Sequence, residues 1–222
     1  MSRTILFAAA AALASGSLFA SLGPVRAEGP ISAPAPKARE TVSGARETAI
    51  FAGGCFWGVE GVFSHVRGVI SATSGYTGGT ASTAQYETVS TGTTGHAESV
   101  KVVFDPRQVN YADLLRIYFS VVADPTEVNR QGPDEGTQYR TALFPLSPGQ
   151  EAIARAYITQ LSAAHVYGKP IATRLEKQHG FYPAEAYHQD FMARNPDYPY
   201  IVFNDRPKVE ALKRMFPQAW KS

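Results

Sequence analysis

Between Glu47 and Phe144 the chain alternates two kinds of apolar pattern in a fixed order, and that order leaves few folds open. Ala49-Ile50-Phe51-Ala52 is a short apolar run stopped by Gly53-Gly54, as a buried strand followed by a tight turn would be. Phe56, Val59, Phe63 and Val66 then recur at helical spacing, which predicts a helix over about 55–66. Val69 to Ser74 reads as a second strand, ended by Gly75. From Glu98 to Phe104 the faces alternate: Glu98, Val100, Val102 and Phe104 on one side, Ser99, Lys101 and Val103 on the other. Tyr111, Leu114, Leu115, Tyr118 and Val122 mark an amphipathic helix, and Tyr139 to Phe144 a further strand. The order β-α-β-β-α-β is that of the ferredoxin-like split βαβ unit. It predicts an α/β (α+β) fold, a single-domain two-layer sandwich with helices on a mixed sheet.

The rest of the chain extends this core. Ser147-Pro148-Gly149-Gln150 is a helix start, with Ser as cap, Pro in the first position and Gln three residues on. Ile153, Tyr157 and Leu161 carry that helix to about Ala164. Ile171 to Glu176 reads as a strand and Glu185 to Arg194 as a short helix. The loops 75–96 and 123–136 are rich in Gly, Pro, Thr and Ser, and loops of that length in a folded domain usually carry function. The folded unit is expected over 47–216, with 217–222 as a C-terminal tail.

Residues 1–27 read as an export leader. Arg3 precedes an uncharged, Ala-rich apolar stretch from Ile5 to Leu22, and Val25-Arg26-Ala27 places small residues for cleavage after Ala27. The alternative is an uncleaved membrane anchor, against which the serines, the glycines and the cleavage site argue. Residues 28–46, with Pro30, Pro34 and Pro36, read as a flexible, solvated linker. The expectation is an exported protein, periplasmic after cleavage, monomeric and with no stable membrane association. Without residues 1–27, which hold Arg3 and Arg26 and no acidic residue, 19 basic and 19 acidic residues remain. No global field steers such a chain to nucleic acid.

The chemistry centres on Cys55, the single cysteine. It rules out an internal disulfide framework and a multi-cysteine metal site, and in an oxidising compartment a lone thiol needs a reason. Cys55 falls where a strand meets the first turn of a helix, a position that favours a thiolate. The plain alternative is a small buried hydrophobe flanked by two core aromatics, Phe56 and Trp57. Glu98 shares its strand face with Val100, Val102 and Phe104. If that face is buried, its carboxyl has a raised pKa and can donate a proton; otherwise it ends the strand in water. Tyr86, Asp134 and Tyr139 lie in or beside the long loops, where spacing alone does not show which converge on Cys55. His96 reads as a loop-bonding residue. There is no P-loop, no dinucleotide fingerprint, no H-E-x-x-H and no metal-ligand spacing among five histidines.

Gly53-Gly54-Cys55-Phe56-Trp57-Gly58, Gly95-His96-Ala97-Glu98 and Gly136-Thr137-Gln138-Tyr139-Arg140, in this order, resemble the peptide methionine-S-sulfoxide reductase family, MsrA, from about Glu47 to Phe216. The resemblance implies an oxidoreductase that returns methionine-S-sulfoxide, free or in proteins and peptides, to methionine. It implies Cys55 as nucleophile, Glu98 as acid, and Tyr86 and Tyr139 as hydroxyls that bind the sulfoxide oxygen. It implies Phe56 and Trp57 as the methyl pocket and Asp134 as a polar wall. It further implies no metal or organic cofactor, and an external thiol such as a thioredoxin- or glutaredoxin-type protein. Many relatives carry resolving cysteines near the C-terminus; here Asn195-Pro196-Asp197-Tyr198-Pro199-Tyr200-Ile201 has none. A tyrosine of this segment is expected to line the pocket, Tyr200 in preference to Tyr198. Two other readings stand beside this one. A cysteine hydrolase would need a base from His96, His165 or His188, and a binding module would use the aromatic pocket without chemistry.

Overall fold

The first apolar run becomes β1 (Glu47–Gly53), which pairs antiparallel on both sides, with β3 (Ala97–Phe104) and β6 (Thr141–Phe144). β3 also pairs with β2 (Val69–Thr77). The computed structural model describes residues 29–41 and 44–222, and the expected leader, residues 1–27, lies outside them. The central strand order β6-β1-β3-β2 is that of the split βαβ unit. Its connections are α1 (Phe56–Ser64) and α3 (Tyr111–Ile117), the latter extended by a π-helical turn over Tyr118–Val122. A parallel pairing of β6 with β7 (Arg174–Leu175) and an antiparallel pairing of β2 with β8 (Phe181–Pro183) complete a six-stranded mixed sheet.

The period of two in β1 decides the layers. Ala49 and Phe51 join a large core with α1, α3 and α4 (Pro148–Ala163), whereas Ile50 and Ala52 join a small cluster with Ala97, Ala142 and Phe144. Phe51 stacks on Phe63 of α1 with ring centroids 4.7 Å apart. Side-chain burial of this kind contributes about 2 kcal/mol per large residue. The helix starts follow the sequence signals. Asn110 accepts from the Asp113 N–H at 2.9 Å, and Ser147 accepts from the Gln150 N–H at 3.1 Å.

Several boundaries differ from expectation. Tyr139 belongs to a 3₁₀ turn, Thr137–Tyr139, and the strand begins only at Thr141. The strand expected over Ile171–Glu176 shrinks to β7, because this edge pairs only through Arg174 and Leu175. The helix expected over Glu185–Arg194 is helical only in α5 (Phe191–Arg194), since turns occupy 186–190 and Asp190 has φ +51°. The loop expected over 75–96 starts only after β2 ends at Thr77 and holds a 3₁₀ turn, Ala81–Thr83, and a helical turn, α2 (Tyr86–Val89); the 123–136 loop holds a small hairpin of β4 (Arg130–Gln131) and β5 (Asp134–Glu135). A π-helical turn, Ile201–Asp205, leads into α6 (Arg206–Met215).

The linker expected as a solvated tether is a docked strap. Ala33 is fully buried. The Ile31 N–H donates to the Ser120 carbonyl at 3.0 Å, and the Ala33 N–H to the Ser120 hydroxyl at 3.1 Å. Arg116 donates to the Ala33 carbonyl at 2.9 Å, and the Tyr157 hydroxyl to the Pro34 carbonyl at 2.7 Å. Prolines hold the segment extended, so its carbonyls meet side chains of α3, the π turn and α4 without needing apolar periodicity. The tail is docked too, with Trp220 bridged to Val66 and stacked on His65 at 4.7 Å.

Candidate active site

Cys55 caps α1 from a turn that only glycine can form. Gly54 has φ +86°, and a β-carbon there would lie 2.6 Å from Cβ of Gln131. Cys55 is 9% exposed and lines a cavity of about 200 Å³. All eight side chains expected at the site line that cavity: Cys55, Phe56, Trp57, Tyr86, Glu98, Asp134, Tyr139 and Tyr200. Tyr198 lines it as well, so the choice between the two tyrosines resolves to both.

Glu98 lies on the helix-facing side of β3 and is 3% exposed, which answers the question its spacing left open. Its Oε2 accepts the Phe56 N–H, the first free amide of α1, at 3.0 Å. Burial pushes the carboxyl up to about 8; the Phe56 hydrogen bond pulls it down, and Asp134 and Asp205 push it further up. Near neutral pH Glu98 is therefore a carboxylic acid able to donate a proton.

The thiol differs from expectation. A helix terminus favours a thiolate, yet Cys55 is raised well above the ordinary thiol range. Burial is the largest cause, followed by the negative charges of Glu98, Asp205 and Asp134, and the Trp57 N–H opposes them only in part. The Phe56 amide is spent on Glu98, so the dipole end of α1 is shared between two acids. The resting centre holds a neutral thiol beside a neutral carboxyl.

The aromatic wall is fixed from residues distant in sequence. The Trp57 indole stacks on Phe191 at 3.8 Å and 11°, and it meets Tyr198 and Tyr200 edge-on at 6.2 and 5.9 Å. Its Nε1–H donates to Nδ1 of His188 at 3.1 Å. Burial lowers the pKa of His188, which keeps this nitrogen a neutral acceptor. Tyr200 donates a hydrogen bond to Asp134 Oδ2. The Tyr86 N–H donates to Glu185 Oε1 at 2.9 Å, and the Tyr76 hydroxyl donates to Oε2 of the same carboxylate at 2.9 Å.

Arg140 ties two of the motifs together. Its guanidinium donates to the carbonyls of Gly95, His96 and Thr137 and forms a bidentate pair with Glu176 at 2.8 and 2.9 Å. The loop before Glu98 and the turn ending at Tyr139 are thereby held by one side chain. His96 accepts from the Gly79 N–H at 3.2 Å and bonds the Thr80 carbonyl at 3.0 Å, the loop role expected of it.

His188, Glu185, Phe191 and Asp205 carry no mark in the sequence that assigns them to the site. Asp205 is fully buried, and its Oδ1 would lie 2.1 Å from a β-carbon at Gly58, so that glycine admits the carboxyl to the first turns of α1. Burial raises Asp205 to about 6, partly offset by Lys208 at 3.6 Å. No histidine is placed as a base for Cys55: His188 is engaged by Trp57, His96 holds its loop, and His165 is exposed beyond the end of α4. Among the described residues no cluster of metal-ligating side chains occurs, and no helix is long and apolar enough to cross a membrane.

Comparison with known proteins bears on this site. A family model described as "Peptide methionine sulfoxide reductase" matches residues 47–220. "Peptide methionine sulfoxide reductase MsrA 2" of Mesorhizobium japonicum is 60% identical over 171 residues, 77% of this chain and 88% of that protein. "Peptide methionine sulfoxide reductase MsrA" of Thermus thermophilus is 51% identical over 170 residues, 77% of this chain and 95% of that one. Among solved structures, reduced Mxr1 of Saccharomyces cerevisiae superposes with a TM-score of 0.64 at 30% identity, covering 73% of this chain and 92% of that chain.

Proposed function

Because the chain belongs to the peptide methionine sulfoxide reductase family, we propose how its pocket divides the labour of that reaction. The reaction is the thiol-dependent reduction of methionine S-sulfoxide, free or in proteins, to methionine. The observation that carries the assignment is the convergence of Cys55, the raised acid Glu98 and the tyrosines on one cavity beside Phe56 and Trp57.

The sulfoxide's methyl group lies against Phe56 and Trp57, and its oxygen faces Glu98 with the hydroxyls of Tyr86 and Tyr139. Asp134 and Tyr200 close the wall between them. Glu98 donates its proton to the oxygen, which makes the sulfur more electrophilic. As the sulfur of Cys55 attacks the electropositive sulfur, the thiol proton passes to the Glu98 carboxylate just formed, which restores the acid. Oxygen passes to Cys55, methionine leaves, and the enzyme is left as a sulfenic acid. Two external thiol groups then return Cys55 to a thiol, releasing water and a disulfide.

A thioredoxin- or glutaredoxin-type protein is the reading for that reductant, supported by the absence of any second cysteine. No metal or organic cofactor takes part. A monomer is the reading kept for the enzyme: the nine side chains that line the pocket need no second chain to complete it. Residues 1–27 support export and a periplasmic site of action, where oxidised proteins, peptides and free methionine sulfoxide are the substrates.

The test is loss of oxygen from the separate S and R epimers of a methionine sulfoxide peptide, with a small dithiol supplied. A pocket that aims oxygen at Glu98 while holding methyl on Trp57 is productive for one hand only. Equal turnover of both epimers would overturn the assignment.

A further inference from the structure

Cys55 touches a second cavity. This one measures about 430 Å³, and apart from Cys55, Asp134 and Tyr200 it shares no lining residue with the substrate pocket. The Tyr200 hydroxyl donates to Asp134, so the two shared side chains join into a bar between the cavities. Beyond the bar the walls are the π turn at Phe119–Val122, the Gly29–Ile31 stretch of the strap, Pro133 and Pro207. Phe203 stands at the mouth, 76% exposed.

We propose that this second cavity is where the reducing thiol meets Cys55, so that substrate and reductant reach one sulfur atom through different openings. The proposal rests on the assignment of Cys55 as the oxygen acceptor. Displacement at sulfur needs the attacking thiolate in line with the departing oxygen, on its far side. The oxygen is held on the side of Glu98, Tyr86 and Tyr139, none of which lines the second cavity. The chain has no other cysteine, so the attacking sulfur comes from outside. The volume falls within the range of ligand pockets, roughly 300–1,000 Å³.

The step balances. The incoming thiol gives up its proton, and its sulfur bonds to Sγ of Cys55. The S–O bond breaks, and the oxygen leaves as water with the proton of Glu98, which is replaced by the one the thiol released. A second thiol then attacks the mixed disulfide, which frees the Cys55 thiol and leaves the reductant as a disulfide. The ligand chemistry is a thiol, and its source is either a small dithiol or a cysteine on a partner protein.

The experiment separates the half-reactions. Methionine released by the enzyme without reductant reads the substrate pocket and the assignment of Cys55. Decay of the Cys55 sulfenic acid on adding dithiothreitol or a thioredoxin reads the second cavity. Pro207→Trp, at an exposed wall position, should leave methionine release unchanged and slow decay about tenfold or more with both reductants. Phe203→Asp should slow thioredoxin alone if the mouth serves a protein thiol, and neither reductant if it serves a small one. Unaltered decay in Pro207→Trp with both reductants would overturn the proposal. So would a second measurement on the unmutated enzyme: excess N-acetylmethionine, which fills the substrate pocket, should leave decay with dithiothreitol unchanged, and blocking it would place the thiol in the substrate pocket. Absence of methionine release in the unmutated enzyme would instead overturn the assignment of Cys55.

Discussion

The backbone N–H of Phe56 donates to Oε2 of Glu98 at 3.0 Å, so the residue after the nucleophile holds the acid. The bond keeps the carboxyl pointed at the pocket while burial keeps it protonated up to about pH 8. Without the bond, desolvation and the charges of Asp134 and Asp205 would act unopposed, and the acid would become too weak to yield its proton readily. Acid and nucleophile are therefore set at adjoining positions of one helix end.

Glu98→Gln should keep the pocket and lose the proton, with methionine formation slowed by about 100-fold or more and substrate affinity changed far less. In the unmutated enzyme the rate should fall as pH rises through about 8, and this alkaline limb should be absent from the variant. Single-turnover methionine formation between pH 6 and 10 checks both. A variant as fast as the parent would remove Glu98 as the acid.

Stability should fall as pH rises from about 4.5 to about 8. Glu98 is raised from 4.5 to about 8 and Glu60 from 4.5 to about 7, each by burial first. In that window the folded chain binds more protons than the unfolded chain, so the slope of unfolding free energy with pH is negative. Urea midpoints at pH 5 and pH 8 measure it. The double variant Glu60→Gln/Glu98→Gln should show a flatter slope, and an equal slope would locate the effect elsewhere.

His188→Ala should free the Trp57 indole from the acceptor that fixes it. We expect methionine formation to slow by about tenfold, since small losses of orientation are amplified in rate. The apparent pKa of Cys55 alkylation should stay put, because His188 is not among the causes of its shift. A displaced thiol pKa would mean that His188 acts on Cys55 directly.

A chain beginning at residue 42 should be less stable than one beginning at residue 28 by about 4 kcal/mol, reckoning about 1 kcal/mol for each of the four hydrogen bonds described above to α3, the π turn and α4. That corresponds to a fall in Tm of roughly 8–16 °C. Thermal melts of the two chains decide it, and equal melting temperatures would return the strap to the status of a tether.

One equivalent of sulfoxide without reductant should yield one methionine per enzyme and then stop, because no second cysteine exists to form a disulfide. Mass spectrometry should find one added oxygen on Cys55. A free thiol after full turnover would refute the sulfenic-acid route.

What the sequence reveals follows the range of its forces. Cys55, Phe56 and Trp57 are legible because a strand, two glycines and a helix start are local signals. Alternation with Val100 and Val102 shows which face Glu98 shares, but whether that face is covered at the start of the strand is settled by the structure alone. His188 and Glu185 are not legible: their partners Trp57 and Tyr86 lie 131 and 99 residues away, and nothing local marks them. β8 escapes notice because it has only three residues. α6 has a usable signal, since Val209 and Leu212 are buried at helical spacing. The strap has none, because it is held by hydrogen bonds on its own backbone and by the burial of Ala33. The raised thiol is not readable from a helix start alone, because the opposing carboxylates at 98, 134 and 205 come from three separate elements.

The carboxyl of Asp205 occupies the space that a side chain at Gly58 would need. Positions 58 and 205 are therefore not free to vary one at a time. Gly58→Ala forces a buried acid out of its seat, whereas Asp205→Ala leaves a hole beside an empty glycine. The steric part of the two harms is relieved if both changes occur together, because the new methyl group enters the space the acid vacates, while Lys208 still loses its partner. Nearly 150 residues of chain separate the two positions, yet the volume of one sets what the other can hold.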